Sequence, residues 1–256
     1  MTSSALPMHS ASYVLFLFLL LFGPLAFGTV ENWSGAVLNI GAALSFLVLA
    51  AYLALKKKKV LRIPGALPLL LLPGYMLLQM IPLPPQLVEL LSPATFDLYR
   101  PLLELEPERH YIPLTVNRKN TLLMFFAFSS YGLAYMLTLY HCRKPELLKK
   151  TVIIVVFLAI IIAVEAIIQK LTSPDMIYWF RPTPNSSPVG PWVYSNHFAG
   201  FMEMVFPLTI ALFLFYRPQV FTHKTIRERF IYLLTMPGAN RYLLLGSGAM
   251  LMAVSI

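Results

Sequence analysis

Residues 195–206, SNHFAGFMEMVF, place Asn196, His197 and Glu203 at the mouth and upper part of an otherwise apolar run that continues to Tyr216. An amide, an imidazole and a carboxylate supply hydrogen-bond donors, acceptors and titratable protons, and polar groups kept in a membrane helix commonly mark a substrate, ion or proton site. On a helix of 3.6 residues per turn Asn196, Gly200 and Glu203 fall at i, i+4 and i+7, so they share one stripe, with His197 beside it. Gly200 lets a neighbouring helix or a lipid-linked substrate approach the backbone between the amide and the carboxylate. A plainer reading stands beside this one: the same groups tie one helix to its neighbours by hydrogen bonds.

Two further sets carry chemistry. Glu165 lies in the middle of TVIIVVFLAIIIAVEAIIQKL with Gln169 one turn on, both on one face. A carboxylate at that depth is neutral and donates a hydrogen bond between helices, or it serves a function directly. Arg100, Arg109, Arg118, Arg181 and His197 lie in or next to segments expected on one side of the membrane. Guanidinium groups offer a permanent charge and a planar fork of donors, suited to the diphosphate of a lipid-linked sugar donor. Taken singly each is also a solvated or headgroup-paired side chain, and Arg181 is the most favourably placed of them.

The elements that must hold these groups are membrane helices. The chain has 256 residues, 58% hydrophobic and 12% charged, with a mean hydropathy of +0.70, too apolar for a soluble domain of this length. The predicted fold is all-α, a polytopic transmembrane bundle in a single domain. Apolar runs near 12–28, 35–55, 65–82, 121–140, 151–171 and 197–216 predict six helices, and a seventh begins near Tyr242 and reaches Ile256. Gly246 and Gly248 permit close packing in that last run. Ala26-Phe27-Gly28 looks like a cleavage site, but no lysine or arginine precedes it to make a basic n-region, so a retained first helix is expected.

Charge sets the orientation. Lys56 to Lys59 with Arg62, then Arg143, Lys144, Lys149 and Lys150, then Arg217, Lys224, Arg227, Arg229 and Arg241 hold most of the 20 basic residues. These clusters predict cytoplasmic loops, a cytoplasmic N-terminus and outward segments at 29–34, 83–120 and 172–196. The net charge of +9 is therefore a topology signal, and no nucleic-acid partner is expected. In 83–120, apolar spacing from Leu87 to Leu105 predicts either a helix on the membrane surface or a packed loop. Tyr178, Trp179, Trp192 and Tyr194 bracket the third outer segment as interfacial aromatics, and Pro182, Pro184, Pro188 and Pro191 disfavour a helix across it. Asn32-Trp33-Ser34 and Asn185-Ser186-Ser187 match the glycosylation acceptor pattern, a match of the length that chance supplies. The single cysteine, Cys142, excludes an internal disulfide, the histidines at 9, 110, 141, 197 and 223 show no ligand spacing, and no phosphate-binding loop occurs, so no metal or other cofactor is expected.

The run YWFRPTPNSSPVGPWVYSNHFAGFMEMVFPL resembles the segment before and within a central helix of bacterial O-antigen ligase and O-antigen polymerase family proteins, most specifically at Asn196, His197, Phe198, Ala199, Gly200 and Glu203. PLTVNRKNT at 113–121 and the order of helices also fit that layout. The resemblance implies a GT-C-like glycosyltransferase of the bacterial inner membrane that takes a glycan from undecaprenyl diphosphate on the periplasmic face. The acceptor would be lipid A core or a growing polysaccharide, and transfer would be inverting and metal-independent. Arginines would hold the diphosphate and a histidine would serve as general base. The family's Ser-Arg-Gly-like segment and its histidine-bearing loop would lie beyond Ile256, so this chain is expected to be an N-terminal half. No catalytic residue is assigned within it, and Arg181, Asn196, His197, Gly200 and Glu203 are expected to shape the donor site. Two alternatives remain at this level: a transporter or flippase using Glu165 and Glu203, and a non-catalytic scaffold.

Overall fold

The computed structural model describes residues 8–57, 63–184, 186–217, 225, 227 and 239–255. Lys58, Lys59 and Arg62 of the first basic cluster, Lys224 and Arg229 of the third, His223 and Asn185 lie outside the described residues. Among the described residues the chain is all-α apart from two short antiparallel strand pairs. Its helices are α1 (Met8–Leu25), α2 (Asn32–Leu55), α3 (Ala66–Met80), α4 (Pro85–Leu91), α5 (Pro93–Leu105), α6 (Arg118–His141), α7 (Pro145–Thr172), α8 (Ser195–Phe215) and α9 (Ala239–Ser255). Among the described residues α1, α2, α6, α7 and α8 are long and apolar enough to cross a membrane, as their near-continuous apolar surfaces predict. The 15 residues of α3 fall short of that length.

Two compact units make up the chain, Met1–Phe16 with Gly35–Tyr140, and Leu17–Ser34 with His141–Ile256. In the first, buried polar pairs join the helices. Ser12 Oγ donates to the Ser45 carbonyl and Ser45 Oγ to the Ser12 carbonyl, each at 3.0 Å, and Ser130 Oγ donates to Asn39 Oδ1 at 2.8 Å. The ring of His9 lies between those of Tyr52 and Tyr140, 5.5 and 5.9 Å away. Such contacts suit an apolar medium, where helices gain little from hydrophobic burial alone.

The segment after α3 settles the reading of Leu87 to Leu105. It is helical, but in two pieces, because Pro93 lacks the N–H needed to continue α4 and instead opens α5. Pro82–Leu83 (β1) pairs antiparallel with Ile112–Pro113 (β2), and the Tyr99 hydroxyl donates to the Thr115 carbonyl at 2.9 Å, closing the segment on itself.

In the second unit α7 and α8 build the core with α9. Val156, Ile162, Ala163 and Ala166 from α7 meet Phe198, Met202 and Val205 from α8, and Leu245 and Met252 from α9. A Cβ on Gly248 would collide with the side chain of Ile160, 2.7 Å from its Cγ1, so glycine there lets α9 come close to α7. Ser34 of the first glycosylation match is fully buried and donates to the Glu31 carbonyl, while Asn32 and Trp33 are exposed.

Candidate functional site

One end of the second unit is closed by two connections. The first is the three-residue turn Phe27–Thr29 between α1 and α2, whose φ values of 56°, 62° and 58° are all left-handed. Such a run is rare in L-residues and persists only where surrounding contacts over-determine it. The second is the connection from α7 to α8. It contains the antiparallel pair Met176–Ile177 (β3) and Arg181–Pro182 (β4), then a tight turn in which Val189 and Trp192 exchange backbone hydrogen bonds of 3.1 and 3.2 Å. Among the described residues no helix forms between Ser173 and Tyr194, as the four prolines predict.

Gln169 anchors this second connection. Its Nε2 donates to the Met176 carbonyl at 2.5 Å and its Oε1 accepts from the Gly190 N–H at 2.7 Å, so one buried amide holds both ends of the loop. The loop also reaches back to the first turn. The Tyr178 hydroxyl donates to the Leu25 carbonyl at 2.6 Å, Arg181 pairs with Glu31, and its guanidinium stacks 4.6 Å from the centre of the Phe27 ring. Trp192 occupies the space that a Cβ on Gly28 would need. Burial, then the nearby charge of Glu165, pushes the Tyr178 phenol up to about 12, so it stays a neutral donor.

Between these connections and the start of α8 lies a cleft of about 480 Å³. Asn196, His197 and Gly200 line it from α8, and Thr29 and Val30 line it from the turn. Trp192, Phe201 and Met204 supply apolar wall. The side chains of Asn196 and His197 are exposed, and the His197 ring meets the edge of Tyr194, 6.2 Å between centres. A Cβ at Gly200 would meet no atom within 4 Å: no neighbouring helix fills that space, and it belongs to the cleft. The first turn of α8 has no side-chain cap, leaving backbone N–H groups and the positive end of the helix dipole near the cleft mouth.

The structure thus brings Asn196, His197 and Gly200 together and sets two other candidates apart. Glu203 does not line the cleft and is exposed on α8 about 12 Å along the helix from Ser195. Arg181 does not line it either and is held by Glu31 and Phe27, which flank the cleft-lining Gly28–Val30. Glu165 lies beneath the loop, where a Cβ on Gly190 would be 3.1 Å from its Oε2, and both carboxylate oxygens are buried without a hydrogen-bond partner among the described residues. Sequence reasoning assigned Trp192 to the membrane interface, but it is only 5% exposed and belongs to the core. Gly28, Thr29 and Glu31 were not singled out, and the closeness of glycine to the helix end was the one signal that could have pointed to them.

The arrangement suits an amphiphile, with apolar wall along the cleft and an amide, an imidazole and a hydroxyl at its polar edge. No group of three or more metal-ligating side chains occurs among the described residues. No family model, no curated protein and no solved structure matches the chain.

Proposed function

We propose that the chain is a membrane glycosyltransferase of the O-antigen ligase and polymerase type, in a GT-C-like helical frame. In this reading it moves a glycan from undecaprenyl diphosphate to a lipid A core or polysaccharide acceptor on the periplasmic face of the bacterial inner membrane. The observation that carries the reading is the convergence of Asn196, His197 and Gly200, where the sequence resemblance is most specific, on one cleft with an apolar wall and a polar mouth. A polyprenyl diphosphate has that same division between an apolar chain and a charged head. In the transfer the acceptor hydroxyl attacks the anomeric carbon, the bond from that carbon to the phosphate oxygen breaks, the lipid diphosphate leaves, and a general base takes the hydroxyl proton.

No cationic side chain lines the cleft among the described residues, so the diphosphate must recruit one. Arg181 is the nearest in the chain's own connectivity, and its ion pair with Glu31 is about one-third exposed on both sides. A pair this accessible is weak and exchanges readily, whereas a diphosphate offers the guanidinium two charged acceptors. The donor head therefore takes Arg181 from Glu31, aided by the backbone N–H groups opening α8.

Binding of undecaprenyl diphosphate to the purified full chain in nanodiscs tests this. Arg181→Ala should weaken binding about tenfold or more, Glu31→Gln should tighten it by freeing the guanidinium, and unchanged affinity in both removes Arg181 from donor recognition. A second reading, a transporter, rests on the orphan carboxylate of Glu165. Solute uptake into vesicles that is lost in Glu165→Gln, with no glycan transfer by the parent chain, would favour it.

A further inference from the structure

At the opposite end of the second unit α7, α8 and α9 enclose a groove of about 440 Å³. Its walls are apolar, with Ile153 and Phe157 from α7, Leu212 from α8 and Leu244 from α9, and Ile153, Phe157 and Leu244 are 39–52% exposed. Its rim is basic. Arg241 lines it directly, and Lys149 holds its ammonium 4.7 Å from the Phe215 ring centre and 5.1 Å from that of Tyr216, itself a lining residue. Among the described residues no acidic side chain lines the groove, and Arg241 has no ion-pair partner.

We propose that this groove is a binding site for one anionic phospholipid, distinct from the cleft at the other end. An acyl chain lies along the walls formed by Ile153, Phe157, Leu212 and Leu244, and the phosphate sits between Arg241 and Lys149. Charge complementarity selects the occupant: an apolar slot alone takes any lipid tail, whereas two cations at its rim, with no carboxylate lining it among the described residues, favour a headgroup of net negative charge. Stacked on Phe215 and Tyr216, Lys149 is pre-positioned at the rim, which lowers the ordering cost of gripping a phosphate.

Native mass spectrometry of the full chain released from nanodiscs of equal phosphatidylglycerol and phosphatidylcholine tests the site. The parent chain should retain one phosphatidylglycerol in preference to phosphatidylcholine. Arg241→Gln and Lys149→Gln should each cut that preference about fivefold, as expected for one basic residue at a membrane surface, and Lys149→Arg should keep it. Ile153→Trp, an exposed position where added bulk fills the groove, should lose the retained lipid while the protein stays monodisperse. Equal retention of the two lipids by the parent chain, or a preference that survives either Ile153→Trp or the two glutamine substitutions together, overturns the proposal.

Discussion

At the scale of the residue, the cleft rests on two glycines that act in opposite ways. Gly28 is needed because its φ of 62° is left-handed and because the Trp192 indole stands where a side chain would go. Gly28→Ala should lower stability by about 1–2 kcal/mol and unseat Trp192, visible as a red-shifted tryptophan emission. Gly200 has open space on its outer side, so Gly200→Leu should leave thermal unfolding unchanged or slightly raised, since glycine is a poor helix former. The same substitution should block donor binding by filling the cleft, and a variant that binds undecaprenyl diphosphate like the parent would show that the donor lies elsewhere. Tyr178 adds a pH signature. With its folded pKa near 12 and its ordinary value at 10.0, the unfolded chain releases this proton first, so the stability it contributes is complete below pH 10 and lost as pH rises to 12. The difference in unfolding between the parent chain and Tyr178→Phe should therefore shrink over that interval, and a constant difference would contradict a contribution of the phenol's hydrogen bond to Leu25.

At the scale of the element, Gln169 is the residue on which the α7–α8 connection depends. Gln169→Leu strands the buried Gly190 N–H and removes the partner of the half-buried Met176 carbonyl, and should cost about 1–3 kcal/mol. Hydrogen exchange across 173–194 should rise well above that of the helices; uniform protection would mean that the loop is held by other contacts. Much at this scale could be read before any fold was known. The long spans follow from unbroken apolar runs such as 151–171, and the shared face of Glu165 and Gln169 follows from their four-residue spacing. What faces them did not follow, because Gly190 lies 21 residues beyond Gln169 and is met only when a proline-rich loop folds back. The break at Pro93 was open to reading from the residue itself, yet apolar spacing on both sides of it mimicked one helix. The pairing of Arg181 with Glu31 spans 150 residues and leaves no local trace, so the arginine read as a free cation.

At the scale of the whole molecule, the distribution of charge makes a claim about sidedness that labelling can decide. Cys142 is the single thiol, and burial pushes its pKa up despite a hydrogen bond from Thr151, so it should react slowly with maleimides. In a Cys142→Ser background, Ser187→Cys and Arg217→Cys lie beyond opposite ends of α8, a helix of 21 residues spanning about 30 Å. A membrane-impermeant maleimide added outside intact cells should label position 187 and spare 217. The reverse pattern would invert the orientation inferred from the basic clusters, and would place the Asn196 cleft on the side where lipid-linked glycans are not presented in the proposed reaction.

The contacts that close the cleft also impose an order in time. The turn at Phe27–Thr29 leaves the ribosome early, while the residues that lock onto it, Tyr178 and Arg181, are 153 and 150 positions removed from their partners Leu25 and Glu31. At about 5–20 residues per second, synthesis needs roughly 8–30 s to deliver them. During that interval α1 and α2 are already made, and Glu31 has yet to meet its arginine. An insertion machinery that holds the first hairpin until the α7–α8 connection has crossed would protect that carboxylate, so the cleft is among the last features of the second unit to come into being.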